Sequence, residues 1–395
     1  MIQKVLDQIL KEWSDNTSNS TLNNHVDDRI PTQDKVFQDY LRLLLVRRNN
    51  PCIPTGFAKL DEVLSGGLQE GLYVIGAMSS LGKTTFCLQI ADQIARAGHD
   101  VLFFSLEMSS ADMLSRSFSR LTFLREQAAG RDSTNAKKAA DFKRGECFSA
   151  GEDILLEVVQ DAMEDYYENY SHMHIVSREQ TTKVSDLINT IQTYIEQTNK
   201  TPVVFIDYLQ IIGADDPKST DKQNMDTVIT ELKHMSVAFH TPIIVISSLN
   251  RNSYTSSVTH SSFKESGSVE YSADVLIGMQ YARMEPRAGE TEKARELRVS
   301  QIMQDMSALA AKGKAQEIQV VILKNRDGAK GSCVMNFYPA YNCFQEQRKT
   351  AESTANSISE TDWRNRPRRK RKSNPENLSH QNQRLNTIQC NIRAV

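Results

Sequence analysis

Apolar positions along this chain follow two alternating rhythms. Continuous apolar runs at 72–75, 101–106, 174–176, 203–206, 243–246 and 275–279 read as strands, and segments of helical period at 84–97, 110–121, 184–197 and 226–239 lie between them. A strand that is apolar on successive residues is covered on both faces. Strands of that kind alternating with helices predict a mostly parallel sheet with helices over it. The pattern changes near the end. A charged stretch, 283–317, carries a helix over about 291–311. Residues 317–323 then alternate strictly, Asp327-Gly328 turns the chain, and 333–337 returns as a hairpin.

Three segments stand outside this rhythm. At the start, Ile2, Val5, Leu6, Ile9, Leu10 and Trp13 share a helical face that docks on its own domain or on a partner. A polar linker, 14–32, precedes a second apolar helix over 36–48, which stops before Pro51. In the middle, 125–172 forms an insert. Its 128–151 part is polar. Its 153–170 part is an acidic helix with Ile154, Leu155, Val158, Val159, Ala162 and Met163 on one side, read as a surface helix or a docking helix. At the end, the chain from 347 has no apolar period and gathers Arg364, Arg366, Arg368, Arg369, Lys370, Arg371 and Lys372. The expected organisation is therefore a helical extension over 1–50, an α/β domain over 51–346, and a disordered basic tail over 347–395.

Composition sharpens two points. The net charge of -2 gives no global reason to bind nucleic acid, but residues 346–395 carry 11 Lys/Arg against 5 Asp/Glu, a net of +6 that leaves -8 for the body. Such a tail is solvated, or it touches phosphates. The six cysteines show neither Cys-x-x-Cys nor zinc spacing, which suits a reducing cytoplasm. No apolar run reaches the roughly 18 residues of a membrane span, so no membrane is expected among the partners.

The chemistry begins at Ala77-Met78-Ser79-Ser80-Leu81-Gly82-Lys83-Thr84-Thr85, between a strand and a helix. A small-residue loop entering a helix presents backbone N–H groups to phosphate. Lys83 adds a point charge, and the Thr84 hydroxyl suits Mg²⁺. Ala77 stands where the usual pattern has Gly. Four apolar residues running into Asp207 supply the carboxylate that holds such a metal through water; the plainer role is a cap or turn acid. Glu107 ends the 101–106 strand, expected beside the cradle, where it activates water or favours the next helix dipole. Alternation sends Lys324 and Arg326 to one face, as a solvated edge or as a finger in a neighbour's site.

With these residues in place, 53–346 resembles the ATPase domain of DnaB-type replicative DNA helicases, on the RecA-like fold. Thr55-Gly56-Phe57, Leu60-Asp61 and Gly66-Gly67-Leu68 are similar to its lead-in. Phe104-Ser105-Leu106-Glu107-Met108 is similar to the motif with the catalytic base, and Ile206-Asp207-Tyr208-Leu209-Gln210 to Walker B. Ser248-Leu249-Asn250-Arg251 resembles the third motif, Lys264-Glu265-Ser266-Gly267-Ser268-Val269-Glu270 with Ala273-Asp274 the DNA-binding loop, and Lys324-Asn325-Arg326-Asp327-Gly328 the cations that cross a subunit interface.

The resemblance implies a homo-hexamer that binds ATP and Mg²⁺ between subunits and moves 5′→3′ on single-stranded DNA, with a primase or loader as a further partner. It places Ser79, Ser80, Leu81, Gly82, Lys83, Thr84, Thr85, Asp207 and Ser248 at the nucleotide, and Thr84 and Asp207 at the metal. Glu107, Lys83, Arg326 and Lys324 take part in catalysis; Arg251, Lys264, Glu265 and Gly267 lie on the DNA. The 215–224 loop, with Lys218 and Lys222, is a second strand contact. Three departures stand out. Ser248 replaces a longer Gln that senses the terminal phosphate. The residues before 51 are too few for the family's helical N-terminal domain, so the 36–48 helix is expected to act as its linker helix. The 125–172 insert is long. A RecA- or KaiC-like ATPase that serves as a switch or loader without unwinding is the alternative.

Overall fold

The computed structural model describes residues 32–49 and 52–347, except 132, 150–154, 178–182, 214–217, 251–253 and 264–265. The 2–13 helical face, most of the linker and the tail lie outside the described residues.

In chain order the elements are α1 (Gln33–Asn49), α2 (Ala58–Val63), β1 (Gly71–Ala77), α3 (Lys83–Arg96), β2 (Val101–Ser105), α4 (Ser110–Ala128), α5 (Ala139–Lys143), α6 (Glu157–Asn169), β3 (Met173–Ser177), α7 (Val184–Thr198) and β4 (Val203–Asp207). There follow α8 (Asp221–Ala238), β5 (Pro242–Ser248), α9 (Ser266–Ser272), β6 (Val275–Tyr281), α10 (Glu292–Ala311), β7 (Gln316–Asn325), β8 (Gly331–Tyr338) and β9 (Cys343–Glu346). The strands make one nine-stranded sheet in the order β3-β2-β4-β5-β1-β6-β7-β8-β9. The first six in that order are parallel. From β6 onward the pairing is antiparallel.

Burial follows the expected logic. Successive residues of β1 enter opposite cores. Tyr73 and Ile75 pack with Phe86, Ile90 and Ile94 of α3. Leu72 and Val74 pack with Leu187 and Ile191 of α7 and Val228 and Leu232 of α8. Each such side chain contributes about 1.5–3 kcal/mol by leaving water. β7 and β8 instead alternate buried and half-buried residues, as a sheet covered on one side must.

One expectation fails. β2 does not lie beside the strand that feeds the phosphate loop. The crossover through α3 carries the chain past two positions that β4 and β5 later fill, so β1 pairs with β5 and β6. Neighbours in sequence are only usually neighbours in a sheet.

The insert is fastened down. Ala162 and Tyr170 of the α6 region are buried on Leu121 of α4. Beneath them Asp92 of α3 pairs with Arg120 and accepts from the Ser117 hydroxyl at 2.6 Å. Arg96 donates to Asp165 at 2.9 Å and to the Tyr170 hydroxyl at 3.0 Å. α6 is therefore a covering helix tied to α3, and only its outer side meets water.

Candidate active site

The parallel strands end together at their carboxyl edge, where open α/β sheets bind ligands. Register sets Ala77 beside Ser248 and Ser105 beside Asp207. The chain leaves β1 into the loop 78–82 and enters α3 at Lys83. Gly82 precedes that helix with φ +83°, in the left-handed region. A Cβ there would meet Phe337 Cζ at 2.7 Å and Phe344 Cζ at 3.1 Å, so the loop rests directly on β8 and β9. Phe337 and Phe344 stack at 4.3 Å, and Phe86 meets Phe344 edge-on at 5.1 Å. Gln89 fixes this floor, donating to Phe344 O at 2.9 Å and accepting from Phe344 N at 2.8 Å. Ser80 adds a second left-handed residue, φ +65°. A bend of that kind is the one by which successive backbone N–H groups form an anion-binding concavity.

Lys83 folds back over the loop and donates to Ala77 O at 3.1 Å. Burial lowers its pKa, against the pull of Tyr254, Asp207 and Glu107. Asp207 is buried at the end of β4. Burial pushes its carboxyl up to about 6 and Glu107 adds to the rise, while a hydrogen bond from Thr84 and the charges of Arg116 and Lys83 draw it down. Its Oδ2 is buried without a hydrogen-bond partner. A carboxylate oxygen in that state, beside the Thr84 hydroxyl and the phosphate loop, fits a water-bound divalent cation. Glu107, two residues beyond β2, is exposed and near enough to act electrostatically on both Lys83 and Asp207.

Two neighbours of the loop were missed from sequence. Arg116 of α4 is half-buried and donates to the Thr85 hydroxyl at 3.3 Å, within electrostatic reach of Asp207 and Glu107. Its only signal was an arginine one helix beyond Glu107. Tyr254 reaches the loop from the segment after β5. Its hydroxyl accepts from Ser79 N at 3.3 Å and lies 3.0 Å from Ser79 Oγ. Ser248 itself ends β5. Its backbone N donates to Gln210 Oε1 at 3.3 Å, and Gln210 Nε2 donates to Ser247 Oγ at 3.0 Å.

Lys324 and Arg326 lie elsewhere, where β7 runs into its turn, and both reach toward α9. Gly267 is exposed on α9. With Tyr271, Phe263, Asn250, Lys222 and Asp226 it lines a recess of about 600 Å³. The two segments expected to meet a strand thus share one recess. Arg251, Lys264 and Glu265 lie outside the described residues. Among those described, no helix is long and apolar enough to cross a membrane.

A mostly parallel sheet, a phosphate loop at its carboxyl edge and a buried acid ending a strand two places away define a RecA-like P-loop nucleotide-binding domain. The chain belongs to the DnaB-like helicase C terminal domain family, whose pattern covers residues 52–346. It is 26% identical over 312 residues to the replicative DNA helicase DnaB of Helicobacter pylori J99, covering 74% of this chain and 59% of that one. It is 24% identical over 344 residues to the replicative DNA helicase DnaC of Bacillus subtilis, covering 86% and 65%. The chain thus spans less than two thirds of either relative. Among solved structures, one ATPase domain superposes with TM-score 0.60 at 20% identity, over 80% of this chain and 99% of that one. A DnaB-like replicative helicase studied with primase gives TM-score 0.60 at 19% identity, over 88% and 74%.

Proposed function

We propose that this chain is the motor subunit of an ATP-driven DNA helicase that hydrolyses ATP at subunit interfaces and moves 5′→3′ on single-stranded DNA. The observation that carries the reading is the unpartnered Asp207 oxygen, set with the Thr84 hydroxyl beside the Gly82–Lys83 loop. The Thr84 hydroxyl would hold Mg²⁺ and Asp207 would hold it through water, and the ion would neutralise phosphate charge. Loop amides from Ser79 to Thr85 and the Lys83 ammonium bind the phosphates, and Arg116 adds a cation from the same subunit. Glu107 orients the attacking water. Lys324 and Arg326 stabilise the transferring phosphate of the neighbouring subunit, which requires a closed ring, read here as a homo-hexamer. Lys222, Gly267, Arg251, Lys264 and Glu265 border the strand. Backbone contact of that kind suits a motor indifferent to sequence. A cytoplasmic setting with a primase or loader as partner follows from the same reading.

Ser248 favours a second reading. Its short side chain ends β5 where a longer group would couple nucleotide to strand. On that reading the protein binds DNA and hydrolyses ATP as a switch or loader, without unwinding.

Strand displacement on forked DNA with ATP, beside sizing of the assembly, separates the two. The motor reading expects ring-sized assembly and displacement that Lys83→Ala abolishes together with ATP hydrolysis. ATPase without displacement selects the switch. Undiminished turnover in Lys83→Ala overturns the site.

A further inference from the structure

The cations at the end of β7 are held by their own subunit, and the holder is the element that borders the strand recess. Lys324 Nζ donates to Glu270 O at 2.5 Å and reaches Tyr271 O at 3.4 Å. Arg326 Nη2 donates to the same Tyr271 O at 3.3 Å. These carbonyls close α9, and the last carbonyls of a helix have no partner within it and carry its negative end. Asp274 completes the hold. Its Oδ1 lies 3.3 Å from Arg326 Nη1, and its backbone O accepts from Arg326 N at 2.9 Å. Its Oδ2 accepts from Lys233 Nζ of α8 at 2.7 Å and from Leu72 N of β1 at 2.7 Å. One carboxylate thus joins α8, β1 and the β7 turn directly behind α9.

The hold is asymmetric. The Asp274 side chain is 11% exposed and that of Arg326 is 50% exposed. The pairing uses one guanidinium nitrogen on each acceptor instead of the two-pronged pairing that fixes a structural arginine. The cation is aimed while its remaining donors stay free.

We propose that Asp274 is the positioning residue for Arg326 and Lys324, and that α9 carries displacement from the strand recess to both. Asp274 does not touch the reacting atoms. Lys233 and Leu72 N anchor its Oδ2, Oδ1 sets the guanidinium, and the Glu270 and Tyr271 carbonyls set the ammonium. Strand seated against Gly267 and Tyr271 then moves the cations in the neighbour's site, a route that does not pass through Ser248. This rests on the reading above that Lys324 and Arg326 act across an interface.

The test uses full-length rings and ATP hydrolysis with and without oligo-dT. Asp274→Asn keeps an acceptor for Leu72 N and removes the charge that sets Arg326. It is expected to lower oligo-dT-stimulated turnover ~10- to 100-fold, the cost of misplacing a reacting-site group by about an ångström, with KM for ATP and ring size unchanged. Mixing it with Glu107→Gln subunits is expected to restore part of the turnover, because mixed interfaces pair an intact Glu107 with an intact, correctly held Arg326. Arg326→Ala mixed with Glu107→Gln is the control. If the control recovers and Asp274→Asn does not, Asp274 serves its own subunit's fold and the positioning role is overturned. If the control fails, the cross-interface reading itself falls and takes the positioning role with it. Normal turnover in Asp274→Asn also overturns it. Should Asp274→Asn fail to assemble, Lys233→Gln loosens the same carboxylate without removing it. It is expected to give a smaller loss, recoverable in the same mixture; no loss counts against the proposal.

Discussion

Gly82 concentrates the demands on the phosphate loop in one residue. Its φ of +83° disfavours any side chain, and a Cβ would sit 2.7 Å from the Phe337 ring. Gly82→Ala therefore strains the backbone and collides with a ring that Phe344 holds from behind. A fluorescent ATP analogue is expected to bind it at least ~10-fold more weakly, with stability lower by about 1–3 kcal/mol. Unchanged affinity would show that the loop does not need this floor. The residues that sequence reveals best are of this kind. Gly82, Lys83 and Thr84 are contiguous, and Asp207 ends an apolar run, so their chemistry is written locally. Arg116 meets Thr85 across 31 residues and Tyr254 meets Ser79 across 175. Their roles depend on packing that no local pattern encodes.

At the scale of elements, the strands were legible because burial on both faces leaves continuous apolar runs. The order of the strands was not. The place of β2 depends on how far the α3 crossover travels, which the composition of neither element specifies. β9 was missed for a different reason. Its four residues follow a tight turn at Pro339–Tyr341 and are too few to show a period. The opposite edge of the sheet offers a test of what aligns the strands. Asp100, just before β2, pairs with His172 before β3 and lies 3.3 Å from Lys200 before β4. Burial raises its pKa, but hydrogen bonds from His172, Tyr194 and Lys200 outweigh that and leave it below the usual carboxylate range. A depressed carboxyl stabilises the fold above its unfolded pKa and loses that contribution as pH falls through the folded value. Asp100→Asn is therefore expected to melt a few degrees lower at pH 7, with the gap closing below about pH 4. Thermal melts across pH measure this; a gap independent of pH would remove the charge from the explanation.

For the whole molecule, the uneven charge is the feature with a quantitative consequence. The body carries -8 and the segment from 346 onward +6. Seven of the tail's cations fall within 364–372, outside the described residues. If all seven meet phosphates of a single strand, deletion from Ala351 onward is expected to weaken DNA binding. It should also flatten the log K against log salt slope by roughly 5, at about 0.7 per contact. Titrations at several salt concentrations read this directly, and an unchanged slope assigns the tail to solvent.

The sheet extension β7–β9 links these scales. Its Phe337 and Phe344 lie under the subunit's own phosphate loop, and its Lys324 and Arg326 lie against α9 at the other end of β7. In the proposed ring, each subunit would feel its own nucleotide through the floor and answer into the next subunit's pocket. Contacts of that kind are head-to-tail, so the two faces of a subunit are never interchangeable. News of one hydrolysis event could then circulate in a single sense only. A ring of such subunits would keep a rotary order without any central timing part, and one silent member would break the circuit at its own position.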